Sequence, residues 1–86
     1  MANNNQAKKR IRQNAKRAER NRSRVTRIRG FVRTFDEAII AGNKADAETA
    51  FRAVMPEMHR GVTKGVLNKK TVSRKLSRMS ARVNTL

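Results

Sequence analysis

The chain has no cysteine, no tryptophan and no tyrosine, a single proline and only six acidic residues. Without Cys there is no disulfide and no thiolate to hold a metal, so 86 residues must fold without a staple. A core of that size is marginal, and a bound partner is the remaining source of stability. No stretch approaches the roughly 18 consecutive apolar residues of a membrane span, and no apolar leader follows the start. A cytoplasmic protein without membrane contact is expected. Phe31, Phe35 and Phe51 are the only aromatics, and β-branched runs of period two are absent, which leaves an all-α class. His59 is the only histidine. It has no Cys or carboxylate pair beside it, and the chain has no glycine-rich phosphate loop. Catalysis, a metal site, a cofactor and a small-molecule substrate are therefore not expected.

What the chain does hold is positive charge: 22 Lys and Arg against the six acids, a net +16. The charge is unevenly placed. Residues 1–34 carry +11 with Glu19 as the only acid, residues 35–60 carry −2, and residues 61–86 carry +7 with no acid. Only the middle reads as an ordinary soluble helix, in which Asp36, Glu37, Asp46, Glu48 and Glu57 form a solvated face.

The cations nevertheless respect a pattern. Ile11, Ala18, Val25, Val32 and Ile39 recur at intervals of seven, and the register three residues on carries Ala7, Asn14, Asn21, Ile28 and Phe35. The spacing predicts a first helix from about Asn5 to Ala41, stopped by Gly42. Up to residue 24 its seam is thin. From Val25 it widens through Ile28, Phe31, Val32, Phe35, Ala38 and Ile39 into a stripe suited to two neighbouring helices. Gly30, inside this stretch, implies a close contact or a slight bend. Asn43 with Asp46 resembles a capping box for a second helix to about Lys64, with Ala47, Ala50, Phe51, Val54, Met58 and Val62 inward and a kink expected at Pro56. Gly65 ends it. Asn68 caps a third helix with Val72, Leu76, Met79, Val83 and Leu86 on one side. The expected architecture is an antiparallel three-helix bundle with a long, highly basic, projecting first helix: one domain over residues 1–86, with residues 1–24 as an arm and 25–86 as the bundle.

Around the first helix the cations lie on nearly every side: Lys8, Arg22 and Arg29 on one heptad position, Lys9 and Lys16 on the next, Arg10, Arg17 and Arg24 on another, then Arg12 and Arg33, Arg20 and Arg27. Close like charges repel by about 1 kcal/mol per pair even in water, so the coat calls for counterions. A circumferential coat suits a groove between several phosphate backbones, and the Arg fork bonds two phosphate oxygens at once. Nucleic acid is the expected partner. In the third helix Arg74, Lys75, Arg78 and Arg82 lie opposite the apolar stripe, with Ser73, Ser77, Ser80 and Asn84 between. All three Phe fall on core positions, so recognition should be of folded, double-helical structure through phosphates and shape and not through base stacking. A basic DNA-binding or DNA-compacting protein is the alternative, but a basic zipper needs more heptads than Val25 to Ile39 supply. A membrane-surface helix would need large apolar groups, of which residues 1–24 have one, Ile11.

The residues Ala7-Lys8-Lys9-Arg10-Ile11-Arg12-Gln13, then Asn21-Arg22, Arg27-Ile28-Arg29, Ala38-Ile39 with Ala41-Gly42, Ala50-Phe51, Lys64-Gly65-Val66-Leu67, Arg74-Lys75, Ser77-Arg78 and Arg82-Val83-Asn84 closely resemble the bacterial small-subunit ribosomal protein numbered twenty. The likeness covers essentially the whole chain. It implies a three-helix bundle with an extended first helix that binds 16S ribosomal RNA directly in the small subunit and supports its assembly, with no homo-oligomer. It also implies RNA contact at Lys8, Lys9, Arg10, Arg12, Lys16, Arg17, Arg22, Arg27, Lys69, Arg74, Lys75, Arg78 and Arg82. Charge and position add Arg20, Arg24 and Lys70. The chain departs from the family pattern at Gly30, Asn43, Asn68, Lys70 and Leu76; both Asn remain good caps, and Leu76 broadens the third helix's core side.

Overall fold

A computed structural model describes residues 5–86, and the first four residues of the expected arm lie outside the described residues. Among the described residues the chain forms three helices and no strand: α1 (Asn5–Ala41), α2 (Lys44–Thr63) and α3 (Lys69–Asn84). Both turns sit where local chemistry places them. Gly42 adopts φ 72°, a left-handed conformation free of Cβ strain only in glycine, and its N–H donates to the Ile39 carbonyl at 3.0 Å. Asn43 then opens α2, its Oδ1 accepting the Asp46 N–H at 3.1 Å. At the second turn Gly65 takes φ 78°. The N–H groups of Val66 and Leu67 donate to the Gly61 carbonyl at 2.9 and 3.1 Å. Asn68 Oδ1 accepts the N–H of Lys70 at 2.9 Å and of Thr71 at 3.3 Å, satisfying donors that the first turn of α3 would otherwise leave unpaired. Pro56 stands inside α2. It gives up the bond to the Arg52 carbonyl, and the helix continues across it because residues 52, 53 and 56 lie exposed.

The middle helix α2 packs against both others. The core is Ile28 and Phe35 from α1, Ala47, Ala50, Val54 and Met58 from α2, and Val72, Leu76, Met79 and Val83 from α3. Each larger side chain in it contributes about 1.5 to 3 kcal/mol. Phe35 is the anchor: it is fully buried, and its ring meets that of Phe51 at 6.1 Å between centroids, tilted by 53°. The rest of the expected α1 stripe, Phe31, Val32, Ala38 and Ile39, packs partly buried against the edge of this core.

Three details differ from the sequence reading. Glu57 does not lie on a solvated face; it is buried, with 8 % of its surface exposed. Leu86 lies beyond the last turn of α3 and is 39 % exposed, so it is not a core residue. The close contact considered for Gly30 is absent, since a Cβ there would meet nothing within 4 Å, whereas one at Gly61 would stand 2.7 Å from Leu67 Cδ1 and 2.9 Å from Ile28 Cδ1. Gly61 is the glycine that lets α1 and the second turn close on α2. At Gly30 the Thr34 hydroxyl donates to the carbonyl at 3.1 Å, a back-bond of the kind that bends helices.

A helix of 37 residues is about 55 Å long at 1.5 Å per residue, which sets the longest dimension of the 61 × 22 × 15 Å molecule. No residue from 5 to 24 is buried, and Ile11 of the heptad seam is 67 % exposed.

Candidate nucleic-acid interface

Two basic surfaces are built from helix geometry. On α1, Lys8, Lys9, Arg10, Arg12, Lys16, Arg17, Arg20 and Arg22 are all exposed, while Arg24 is half-buried where the helix enters the bundle. Successive residues of a helix step around its axis, so a sequence this dense in cations is basic on every side. Lys9, Arg12 and Lys16, at spacings of three and four, share one shallow concavity with Gln13. On α3, Lys69, Lys70, Arg74, Lys75, Arg78 and Arg82 are all exposed; Lys70, Arg74 and Arg78 lie opposite the buried stripe, Lys75 and Arg82 flank it, and Lys69 stands at the helix start. Arg74, Lys75, Arg78 and Arg82 line a groove that faces Asp36 of α1. The two helices present their cations separately: Lys8 to Arg20 lie on the part of α1 where nothing is buried, and the α3 residues lie on the bundle.

Where α1 crosses the bundle, Arg27 is engaged by the rest of the fold. Arg27 donates from Nε to Glu57 Oε2 at 3.1 Å and from Nη2 to Oε1 at 3.2 Å, a two-pronged bond. Its guanidinium carbon also sits 5.4 Å above the Phe31 ring. Arg60, at the C-terminal turn of α2 where the helix dipole favours a cation, donates to Glu57 Oε1 at 2.8 Å. The hydrogen bonds from Arg27 hold the Glu57 carboxyl below its ordinary range; burial opposes this, and the charges of Arg27 and Arg60 add to it. The same bond pushes Arg27 further up. Arg82 reaches from α3 to Asp36 Oδ1 at 3.2 Å, with its guanidinium 5.8 Å from the Phe35 ring centroid. Both ends of that pair are about half exposed, at 48 % and 46 %, so the tie is weak and screened by salt.

Thus two residues expected to touch RNA, Arg27 and Arg82, also tie helices together. Arg60 and Glu57 were not among the expected site residues. Helical spacing does put Glu57 on one face of α2 with Val54, Met58 and Gly61, and that face is the buried one, but spacing alone names neither Arg27 nor Arg60 as its partner. Among the described residues no group of three or more His, Asp or Glu is placed to hold a metal, and no helix is long and apolar enough to cross a membrane.

Comparison with known proteins agrees with this geometry. A family model described as ribosomal protein S20 matches residues 2–84. The small ribosomal subunit protein bS20 of Dinoroseobacter shibae is 56 % identical over 86 residues, covering 100 % of this chain and 98 % of the relative. That of Rhodospirillum rubrum is 54 % identical with the same coverage. That of Ruegeria is 56 % identical, covering 100 % of this chain and 99 % of its own length. With identity above half along the full length of the relatives and nearly every residue matched by the model, the chain belongs to the ribosomal protein S20 family, structural components of the bacterial small ribosomal subunit and not enzymes.

Proposed function

We propose that the chain binds 16S ribosomal RNA directly, through phosphate and shape contacts, and so supports folding and assembly of the small subunit in the bacterial cytoplasm. The observation that carries this reading is the state of α1 between Lys8 and Arg20: every residue is exposed, seven of those positions are Lys or Arg, and the thin apolar seam has no cover among the described residues. A helix so charged and so little packed gains its stability from outside, by releasing counterions from a phosphate backbone. Residues 1–24 act as an arm laid between RNA backbones, and residues 25–86 as a bundle that orients it. On α3 the cations from Lys69 to Arg82 form a second contact face. Of the three Phe, Phe35 is fully buried and the other two pack against the core, which favours a duplex surface over splayed bases.

Salt dependence tests the mechanism. If about ten phosphates are neutralised, affinity for a 16S transcript should fall by roughly 10³ or more between 50 and 200 mM salt. A flat titration would remove phosphate contact as the mechanism. Duplex DNA added at equal phosphate concentration should compete poorly, because A-form grooves and 2′-hydroxyls distinguish RNA; equal competition would favour a general DNA-compacting role instead.

A further inference from the structure

Glu57 is the only charged residue buried among those described. Its place between Val54 and Met58, both nearly inaccessible, is one that a leucine or methionine would fill without the desolvation cost of a carboxylate. Stability alone therefore gives no reason for an acid there. What the acid does is hold two arginines from different helices. Its side chain is 10 % exposed, whereas those of Arg27 and Arg60 are 63 % and 66 % exposed. Oε2 accepts from Arg27, and Oε1 from both Arg27 and Arg60. A guanidinium carries five N–H donors, so after these bonds each arginine keeps most of its fork for solvent. The carboxylate lies beneath and the forks lie above. Arg24, on the preceding turn of α1, lines the same hollow together with Ile28 and Gly61.

We propose that Glu57 is a positioning residue that sets Arg27 and Arg60 as a paired cradle for one RNA backbone phosphate, with Arg24 at its rim. This rests on the RNA-binding reading and extends it to a residue of the acidic middle segment. The cradle differs from the α1 arm in being ordered before RNA arrives: Arg27 is held by two hydrogen bonds to the carboxylate and lies over the Phe31 ring. A preset fork loses less side-chain freedom on binding than a solvated one. With Glu57 ionised, the three cations and one anion leave a net +2 at the hollow.

Charge counting and positioning give opposite signs for Glu57→Gln, which makes the test decisive. Removing an anion from an RNA-binding surface should tighten binding if only net charge matters. If Glu57 positions the forks, Glu57→Gln should weaken binding to a 16S transcript about tenfold, the lower end of what a hydrogen bond to a charged group contributes, and flatten the salt slope by about 0.9, the share of one phosphate. Circular dichroism and thermal unfolding of the same variant establish that it folds. Arg60→Lys, at an exposed site, keeps fold and charge but loses the fork; it too should bind several-fold more weakly, and it carries the test if Glu57→Gln does not fold. Equal or tighter binding by Glu57→Gln, or wild-type binding by Arg60→Lys, overturns the cradle. Salt-independent binding by the wild-type chain would instead overturn the RNA-binding reading itself, so the two failures are distinct.

Discussion

The two halves of α1 share one backbone and one heptad register, yet they are different kinds of structure. Between Asn5 and Arg24 nothing is buried, and the seam residue Ile11 stands mostly in solvent. Between Val25 and Ala41 the same register carries Ile28 and Phe35 into the core, and there Arg27 is matched by Glu57 and Asp36 by Arg82. The difference is the size of the seam side chains. Ala and Asn at the early positions offer too little apolar area to hold a neighbour, so the fold ends there and the charge remains for a partner. The position of an arginine along α1 therefore matters: Lys8 to Arg20 bracket a stretch in which every residue is exposed, whereas Arg27 is tied to Glu57 on α2.

The sharpest way to break this comparison is to remove the anchor of the packed half. Phe35 is fully buried against Phe51, and Phe35→Ala should cost about 3 to 5 kcal/mol, which is most of the stability of a small domain. Loss of the cooperative thermal transition, read by circular dichroism, is the expected outcome. A transition shifted by only a few degrees would mean that the core closes without its anchor.

A smaller effect is expected where α1 presses on α2. A side chain at Gly61 would collide with Leu67 and Ile28, so Gly61→Val should destabilise by about 1 to 3 kcal/mol through overpacking. Denaturant titration with an unchanged slope and a lower midpoint would fit; an unchanged midpoint would show that α1 and the second turn have room to retreat. Because the atoms in the way belong to two side chains and not to backbone, the cost stays below that of Phe35→Ala.

These two positions also mark what was legible in the sequence. Phe35 could be placed in the core because it sits in a periodic run of large apolar residues. The turns could be placed because Gly42, Asn43, Gly65 and Asn68 act through their own backbone and side chain within a few residues. Gly61 and Glu57 were not legible in the same way. Their roles depend on what stands opposite, Ile28 and Arg27 on another helix, and periodicity within one helix carries no information about the partner across the seam. Glu57 in particular reads as one more surface acid until Arg27 and Arg60 are seen to cover it. The exposed charge of Lys8 to Arg20 was legible, since a residue in a fully exposed stretch has little tertiary context to override its chemistry.

The smallest expected effect on stability is the one that sharpens the comparison most. Arg17 is exposed on the unburied half of α1, so Arg17→Ala should leave the midpoint of thermal unfolding in place, or raise it slightly through the better helix propensity of Ala and relief of repulsion among neighbouring cations. Binding to a 16S transcript should nevertheless weaken, with the salt slope shallower by about one because one phosphate fewer is neutralised. The contrast with Phe35→Ala, which should abolish the fold, separates the two halves in a single pair of variants. If Arg17→Ala lowered the unfolding midpoint of the free protein as far as Phe35→Ala does, the early half of α1 would belong to the packed structure, and its charge would have to be explained from inside the fold.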